Sequence, residues 1–135
     1  MHANKLPQIS VLILHWRAEA YLPLCLNALI AQTYKDFEVL LLDNGNEVSL
    51  PDDFVSGFTE LDLTVFRSED NLGFAAGNNH LAGFAKGKNL VLLNADAIPE
   101  PDWLETINEA LLKTPNHFIA SRLIKYSEPD KFDGE

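Results

Sequence analysis

Asn94 and Asp96 form the element of this sequence that is best suited to hold a divalent cation. They follow the apolar run Leu90–Leu93, which is typical of a strand buried on both faces. A carboxylate just past a buried strand lies at the edge of a sheet, where α/β proteins bind their ligands. Magnesium and manganese accept one carboxylate together with phosphate oxygens and water. Asp96 is therefore the candidate metal ligand, although a single aspartate at such a position is more often a turn or helix-capping residue.

His15, Asp43 and Asn71 each follow another predicted strand, at or soon after its carboxyl end. In a parallel sheet these ends meet at one edge, so the three side chains should lie along the same edge as Asp96. Asp43 can accept hydrogen bonds from a ribose or a base, or from the backbone of its own turn.

The turn after the first predicted strand carries His15, Trp16 and Glu19. His15 could contact a ligand, or it could be a partly buried histidine with one nitrogen satisfied. Trp16 could stack on a base or pack under the loop. Glu19 could serve the ligand, or it could stabilise the first turn of the following helix through the helix dipole.

The segment Asn71–Asn79 is rich in small residues, among them Gly73. Small residues let the backbone approach a ligand closely, and a helix that begins near Ala75 would direct free N–H groups toward a sugar or a diphosphate. A tight turn that leads into a closely packed helix explains the same segment equally well.

Strands and helices alternate along the chain. Apolar and β-branched runs predict strands at Ile9–Leu14, Phe37–Leu42, Leu63–Phe66, Leu90–Leu93 and Phe118–Ile124. Helical spacing predicts helices from Ala20 to near Gln32, from Ala75 to Lys86, and over residues 100–113. Residues 47–61 predict a loop with one short helix. The alternation indicates an α/β fold, a mostly parallel Rossmann-like sheet in three layers with helices on both faces.

The apolar faces of two helices follow from the same spacing. The second helix should present Leu81, Phe84 and Ala85 to the core and end at Gly87. The third helix should bury its apolar residues, which are Trp103, Ile107, Leu111 and Leu112.

Composition limits the function classes. The chain has 135 residues, of which 47% are hydrophobic and 22% charged, which is the profile of one globular domain. A net charge of −10 argues against nucleic-acid binding and means that a diphosphate would need a metal ion or backbone N–H groups. The single cysteine, Cys25, fits a cytosolic compartment. We expect no transmembrane segment, because no apolar run reaches the roughly 18 residues of a membrane span, and no signal peptide, because the N-terminus has no apolar h-region.

The ordered motifs closely resemble the N-terminal half of the family-2 glycosyltransferases with the GT-A fold, particularly their rhamnosyltransferase-like branch. The resemblance covers roughly residues 8 to 124 and rests on the order and spacing of its blocks. The blocks are Val11–Trp16, Tyr21–Tyr34, Phe37–Gly45, Asn71–Asn79 and Leu93–Leu104.

This resemblance implies a site for a nucleoside-diphosphate sugar, such as a UDP- or dTDP-sugar. The residues expected to contact the donor are His15, Trp16, Glu19, Asp43, Asn71, Gly73, Asn78 and Asn94. Asp96 would bind Mg²⁺ or Mn²⁺ as the second aspartate of a D-x-D-like motif. The implied reaction transfers the sugar, with inversion, to a hydroxyl of a saccharide or lipid-linked acceptor in polysaccharide biosynthesis. Such a protein would be cytoplasmic or would work at the inner face of the membrane.

Three departures from the family pattern bear on activity. Asn94 replaces the first aspartate of D-x-D, so metal affinity should be lower. The acid that usually follows Asp43 is missing, because the sequence there is Asn46-Glu47-Val48. The acceptor half of the family carries the general base and should begin about where this sequence stops. Residues 1–135 are therefore expected to be the donor-binding half alone, with no catalytic base and little or no turnover.

Three other classes compete with this interpretation. A Rossmann dehydrogenase would use Asp43 as its ribose acid, but the turn His15–Glu19 has no glycine where G-x-G-x-x-G is required. A nucleotidyltransferase would need a Gly- and Arg-rich loop after the first strand, which is also absent. A non-catalytic module that binds nucleotide sugars or forms a homodimer stays open, because the exposed edge of a shortened sheet favours pairing.

Overall fold

The computed structural model describes residues 5–121, 124–125 and 128–132, the last two ranges by their backbone alone. The chain divides into two compact units, Met1–Leu104 and Glu105–Glu135. The first unit contains strands and helices that alternate: β1 (Ile9–His15), α1 (Leu22–Ile30), β2 (Phe37–Asn44), a 3-10 helix (Phe54–Gly57), β3 (Leu63–Ser68), α2 (Phe74–Ala82) and β4 (Asn89–Asn94). Helix α3 (Trp103–Lys113) begins in this unit and continues into the second, which also contains the antiparallel pair β5 (Ile124–Lys125) and β6 (Glu128–Phe132).

The four strands of the first unit form one parallel sheet in the order β3-β2-β1-β4. The chain builds outward from β1 to β3 and then returns to the other side of β1, so the strand order reverses between β1 and β4. Ligands of open α/β sheets bind at the carboxyl ends of the strands beside such a reversal. The predicted Rossmann-like α/β fold is confirmed.

Side chains alternate between the two faces of the sheet, and each face packs against a helix. Leu12, Leu40 and Leu42 pack with Leu81 of α2 on one face. The right-handed crossover from β1 to β2 places α1 on the opposite face. The buried residues of α1 on that side are Leu22, Cys25, Leu26 and Leu29. The sheet with helices on both faces therefore agrees with the three predicted layers.

The prediction that Leu90–Leu93 is buried on both faces is wrong. Val91 and Leu93 are buried, but Leu90 and Leu92 are 48% and 47% exposed. Strand β4 lies at the edge of the sheet, and α2 packs against β1 and β2. One face of β4 therefore has no helix over it in the described part of the chain.

Helix α2 ends at Ala82, four residues before the predicted end at Lys86. Phe84, predicted to enter the core, is half exposed and stacks on Phe66 with ring centroids 4.5 Å apart. Gly87 does not cap the helix. It lies against the backbone of β1, where an added Cβ would be 2.5 Å from the Ser10 nitrogen.

Two further predictions near the end of the chain are corrected. Helix α3 buries Leu104, which the predicted apolar face omitted, and Leu112, which that face included, is 71% exposed. Residues 117–121 have no regular structure, so the predicted strand Phe118–Ile124 is wrong over its first half. Residues 122 and 123 lie outside the described residues, and Ile124 belongs to β5.

Candidate functional site

A cavity of about 450 Å³ opens at the carboxyl ends of the strands, beside the reversal of strand order. It is lined by Leu14, Trp16, Arg17, Ala18, Tyr21, Asn44, Asn71, Gly73, Phe74, Asn78, Leu92, Leu93, Asn94, Ala95 and Asp96. The lining combines apolar and aromatic side chains with a few amides and charges, which is the usual composition of a small-molecule site.

Most of the predicted site residues line this cavity: Trp16, Asn71, Gly73, Asn78, Asn94 and Asp96. Glu19 is exposed and is not part of the lining. His15 and Asp43 are buried beside each other, at paired positions of β1 and β2, and do not reach the cavity surface.

Asp43 uses both carboxylate oxygens on its own turn and the loop that follows. Its Oδ1 accepts a hydrogen bond from Asn46 Nδ2 at 2.5 Å, and its Oδ2 accepts one from the Leu50 backbone at 2.8 Å. Arg67 lies 3.9 Å from Oδ2. Of the two predicted roles, the bonds to its own backbone and turn are formed here, and the contact with a base or ribose stays a prediction.

Asn44 positions the loop that carries Asn71 and Gly73. Its Nδ2 donates to Asn71 Oδ1 at 3.0 Å, and its Oδ1 accepts from the Leu72 backbone at 2.9 Å. Asn71 Oδ1 also accepts from the Gly73 backbone at 2.8 Å. Because these bonds join two loops far apart in sequence, they fix one wall of the cavity.

Gly45 permits this close approach of the two loops. Its φ is +76°, and an added Cβ would lie 2.3 Å from the Asn71 nitrogen. No residue with a side chain fits there without displacement of the backbone of the loop 70–71.

Asn46 connects the same turn to the loop after β1. Its Nδ2 donates to the His15 carbonyl at 2.9 Å, and its Oδ1 accepts from the Arg17 backbone at 2.7 Å. Arg17 has a φ of +53°, which is uncommon for a residue with a side chain. Its guanidinium lies over the Trp16 ring, 4.4 Å from the centroid, as a cation–π pair.

His15 is fully buried, and neither ring nitrogen has a hydrogen-bond partner. The interpretation of a histidine with one satisfied nitrogen is therefore wrong. Burial lowers the pKa of His15, and the charges of Asp43 and Glu19 oppose that shift. The imidazole is neutral near pH 7, because desolvation of the charged form outweighs the two carboxylates.

The N-terminus of α2 faces the cavity through Gly73, Phe74 and Asn78. Gly73 has a φ of +80° and provides no side-chain cap, so the first N–H groups of the helix stay available to a ligand. Asn78 donates from Nδ2 to the Phe74 carbonyl at 3.0 Å, while its buried Oδ1 has no partner. That oxygen can accept a hydrogen bond from a hydroxyl group.

Asn94 and Asp96 also line the cavity, and both residues are exposed. Cys25 donates from Sγ to the Asn94 carbonyl at 3.7 Å, which ties the end of β4 to α1. Burial, together with the charge of Asp96, raises the pKa of the Cys25 thiol to about 12.

The described residues contain no group of three His, Cys, Asp or Glu side chains arranged to hold a metal ion. Asp96 and Asn94 offer one carboxylate and one amide oxygen. This set fits Mg²⁺ or Mn²⁺ when a diphosphate completes the coordination, which is a common arrangement for Mg²⁺.

Gln32 holds the segment that follows Asp96. Its Nε2 donates to the Glu100 carbonyl at 2.7 Å, and its Oε1 accepts from the Leu104 backbone at 3.0 Å. Gln32 is fully buried. This amide therefore anchors the proline-containing stretch after β4 to the end of α1.

Sequence reasoning gave Arg17 no role of its own within the turn His15–Glu19, and it missed the roles of Asn44 and Gln32. Asn44 directly follows Asp43 at the end of a strand, so the argument that placed Asp43 at the edge could have included it. The contacts of Gln32 with residues 100 and 104 are set by the tertiary fold, and no local pattern indicates them.

A family model described as glycosyl transferase family 2 matches residues 10–134. The chain belongs to this family. It is 29% identical over 116 residues to an uncharacterized glycosyltransferase of Haemophilus influenzae, a match that covers 84% of this chain and 35% of that protein. The chain thus spans about a third of the length of this relative.

Two solved structures share the fold. S. aureus TarS 1-349 in complex with UDP-GlcNAc superposes with a TM-score of 0.67 at 18% identity, covering 87% of this chain and 38% of that one. A mannosyltransferase from Pyrobaculum calidifontis, in complex with GDP-Man and Mn²⁺, gives 0.65 at 20% identity, covering 90% and 36%. These neighbours agree with the GT-A form of the sheet. No helix in the described residues has the length and apolarity needed to cross a bilayer.

Proposed function

We propose that this chain is the donor-binding part of a glycosyltransferase that transfers a sugar from a nucleoside-diphosphate sugar to an acceptor hydroxyl, with inversion and with a divalent metal ion. The observation that carries the proposal is the cavity at the reversal of strand order, with Asp96 and the α2 N-terminus in its lining. Family membership and the nucleotide-sugar complexes of two structural neighbours support it.

The walls of the cavity suit different parts of such a donor. Trp16 and Tyr21 present exposed aromatic rings on which a base can stack. The N-terminal N–H groups of α2 and the free Oδ1 of Asn78 suit the oxygens and hydroxyls of the sugar.

Asp96, with Asn94 beside it, would hold Mg²⁺ or Mn²⁺ in this site. The metal ion would supply positive charge that stabilises the leaving nucleoside diphosphate. Transfer also needs a general base for the acceptor hydroxyl. None of the described residues that line the cavity has this role, because Asp96, its only carboxylate, is assigned to the metal.

Titration calorimetry with UDP and dTDP, each with Mn²⁺ and with EDTA, tests the proposal. We expect binding that Mn²⁺ tightens, and Asp96→Asn should remove most of that tightening. The loss expected for one charged ligand is about tenfold or more. Glu100→Gln, an exposed acid a few residues further along, is the matched control and should keep the full metal effect.

Two outcomes would overturn parts of the proposal. In a parallel titration, binding of NAD but of none of UDP, dTDP and GDP would refute donor binding. A metal effect that is unchanged in Asp96→Asn would refute Asp96 as the ligand. The choice of base and sugar, the rhamnosyltransferase-like branch and the cytoplasmic location stay predictions.

A second candidate is a non-catalytic module that binds nucleotide sugars and pairs with another copy. One observation favours it: among the described residues, β4 has a neighbouring strand on one side only, and Leu90 beside that edge is half exposed. The two candidates differ in quaternary structure, since pairing through β4 makes the chain a concentration-dependent dimer.

A further inference from the structure

Arg17 is the only positively charged side chain among the described residues that line the cavity. The chain carries a net charge of −10, so its overall field repels an anionic ligand. A single cation in the lining of the candidate site therefore has a large local effect on where an anion can bind.

Arg17 is also held in place without being neutralised. Its backbone N–H donates to Asn46 Oδ1 at 2.7 Å, and its φ is +53°. Its guanidinium rests on the Trp16 ring at 4.4 Å. No carboxylate in the described part of the chain lies within ion-pairing distance of it.

The few carboxylates in the lining explain why a cation there would help to bind an anionic ligand. Asp96 is the only carboxylate in the described lining, and Asn94 beside it is uncharged. A metal ion bound by one carboxylate and an amide is held more weakly than one bound by two carboxylates, because fewer ligand charges face it. Such a metal ion alone would then compensate the charge of a diphosphate incompletely.

We propose that Arg17 binds the diphosphate of the donor and shares its neutralisation with the metal held at Asp96. The proposal rests on the proposed function and adds a second, metal-independent contact to it. The planar guanidinium can bond two phosphate oxygens at once while its face stays on Trp16. UDP binding should consequently persist, more weakly, when the metal is removed.

The test is a titration of UDP and of uridine into the wild type, Arg17→Gln and Arg17→Lys, each with Mn²⁺ and with EDTA. In EDTA, Arg17→Gln should weaken UDP binding by about ten- to a hundredfold, the range for a hydrogen bond to a charged group. The affinity of Arg17→Lys for UDP should lie between those of the wild type and Arg17→Gln, since lysine keeps the charge and loses the paired N–H donors of the guanidinium. Uridine, which has no phosphate, should bind all three alike.

Lys88→Gln is the matched control, because it changes the net charge equally at the amino end of β4, away from the cavity. Arg17 is exposed, so its variants should fold, which circular dichroism checks. The proposal is wrong if Arg17→Gln binds UDP in EDTA as tightly as the wild type, or if the wild type binds UDP only with Mn²⁺. Both results leave the proposed function standing, whereas a wild type that binds none of UDP, dTDP and GDP under either condition refutes the proposed function itself.

Discussion

Replacement of Gly45 by alanine should destabilise the protein and disturb the candidate site together. The residue has a φ of +76°, which costs an alanine about 1 kcal/mol or more. Its new Cβ would lie 2.3 Å from the Asn71 nitrogen and 2.4 Å from the Asp70 carbonyl carbon. Carbon contacts relax at about 3.5–4.0 Å, so the 70–71 backbone must move by more than about 1 Å.

The two effects together predict a loss of about 2–4 kcal/mol in the free energy of unfolding, from the left-handed backbone and the overpacking. Urea unfolding followed by tryptophan fluorescence measures it. Because the displaced loop carries Asn71 and Gly73, the folded fraction of Gly45→Ala should also bind UDP more weakly than the wild type.

Gly57→Ala is the control for this change. Gly57 has no positive φ and nothing within 4 Å of an added Cβ. The free energy of unfolding of this variant should therefore equal that of the wild type or exceed it by up to about 1 kcal/mol. If Gly45→Ala costs no more than Gly57→Ala, the close approach of the two loops is not as described, and the role given to the 43–46 turn fails with it.

Two further predictions concern pH and assembly. Burial lowers the folded-state pKa of His15 below its usual 6.5. The unfolded chain therefore binds the proton more readily, and the free energy of unfolding should fall as the pH drops below about 6.5. Urea unfolding between pH 7.5 and 5 should show this decline in the wild type and in the control His80→Gln, an exposed site, but less of it in His15→Phe. Sedimentation velocity should show a concentration-dependent dimer that Leu90→Lys disrupts if β4 pairs with a second copy, and a monomer at every concentration would exclude that pairing.

The strands of the sheet could be predicted from local patterns because each one has a run of apolar residues bounded by turn chemistry. Strand β1, predicted over Ile9–Leu14, is one residue longer in the structure and ends at His15. Strand β2, predicted over Phe37–Leu42, is two residues longer and ends at Asn44. The candidate site followed from the same reasoning, since polar residues after parallel strands must share an edge. Of the four residues placed at this edge in this way, Asn71 and Asp96 line the cavity.

The errors fall where a residue's environment depends on distant elements. Leu90 and Leu92 are as apolar as Leu12, yet they are half exposed, because β4 lies outside the area that α2 covers. One nitrogen of His15 was expected to be satisfied, yet neither has a partner, because the pairing of β1 with β2 buries the ring beside Asp43. Apolar periodicity states which face of an element is apolar and does not state what covers that face.

Backbone propensity and side-chain periodicity act over a few residues. The sequence alone therefore determines the order of strands and turns, the turn Asp43-Asn44-Gly45-Asn46 and the D-x-D-like step at Asn94 and Asp96. The return of β4 to the side of β1 was decided by the tertiary structure, and that return creates the cavity. The tertiary structure also decided the hydrogen bonds of Asn44 to Asn71 and of Asn46 to Arg17. Each joins groups more than twenty residues apart, and such pairs meet only when the packed sheet brings their loops to the same edge.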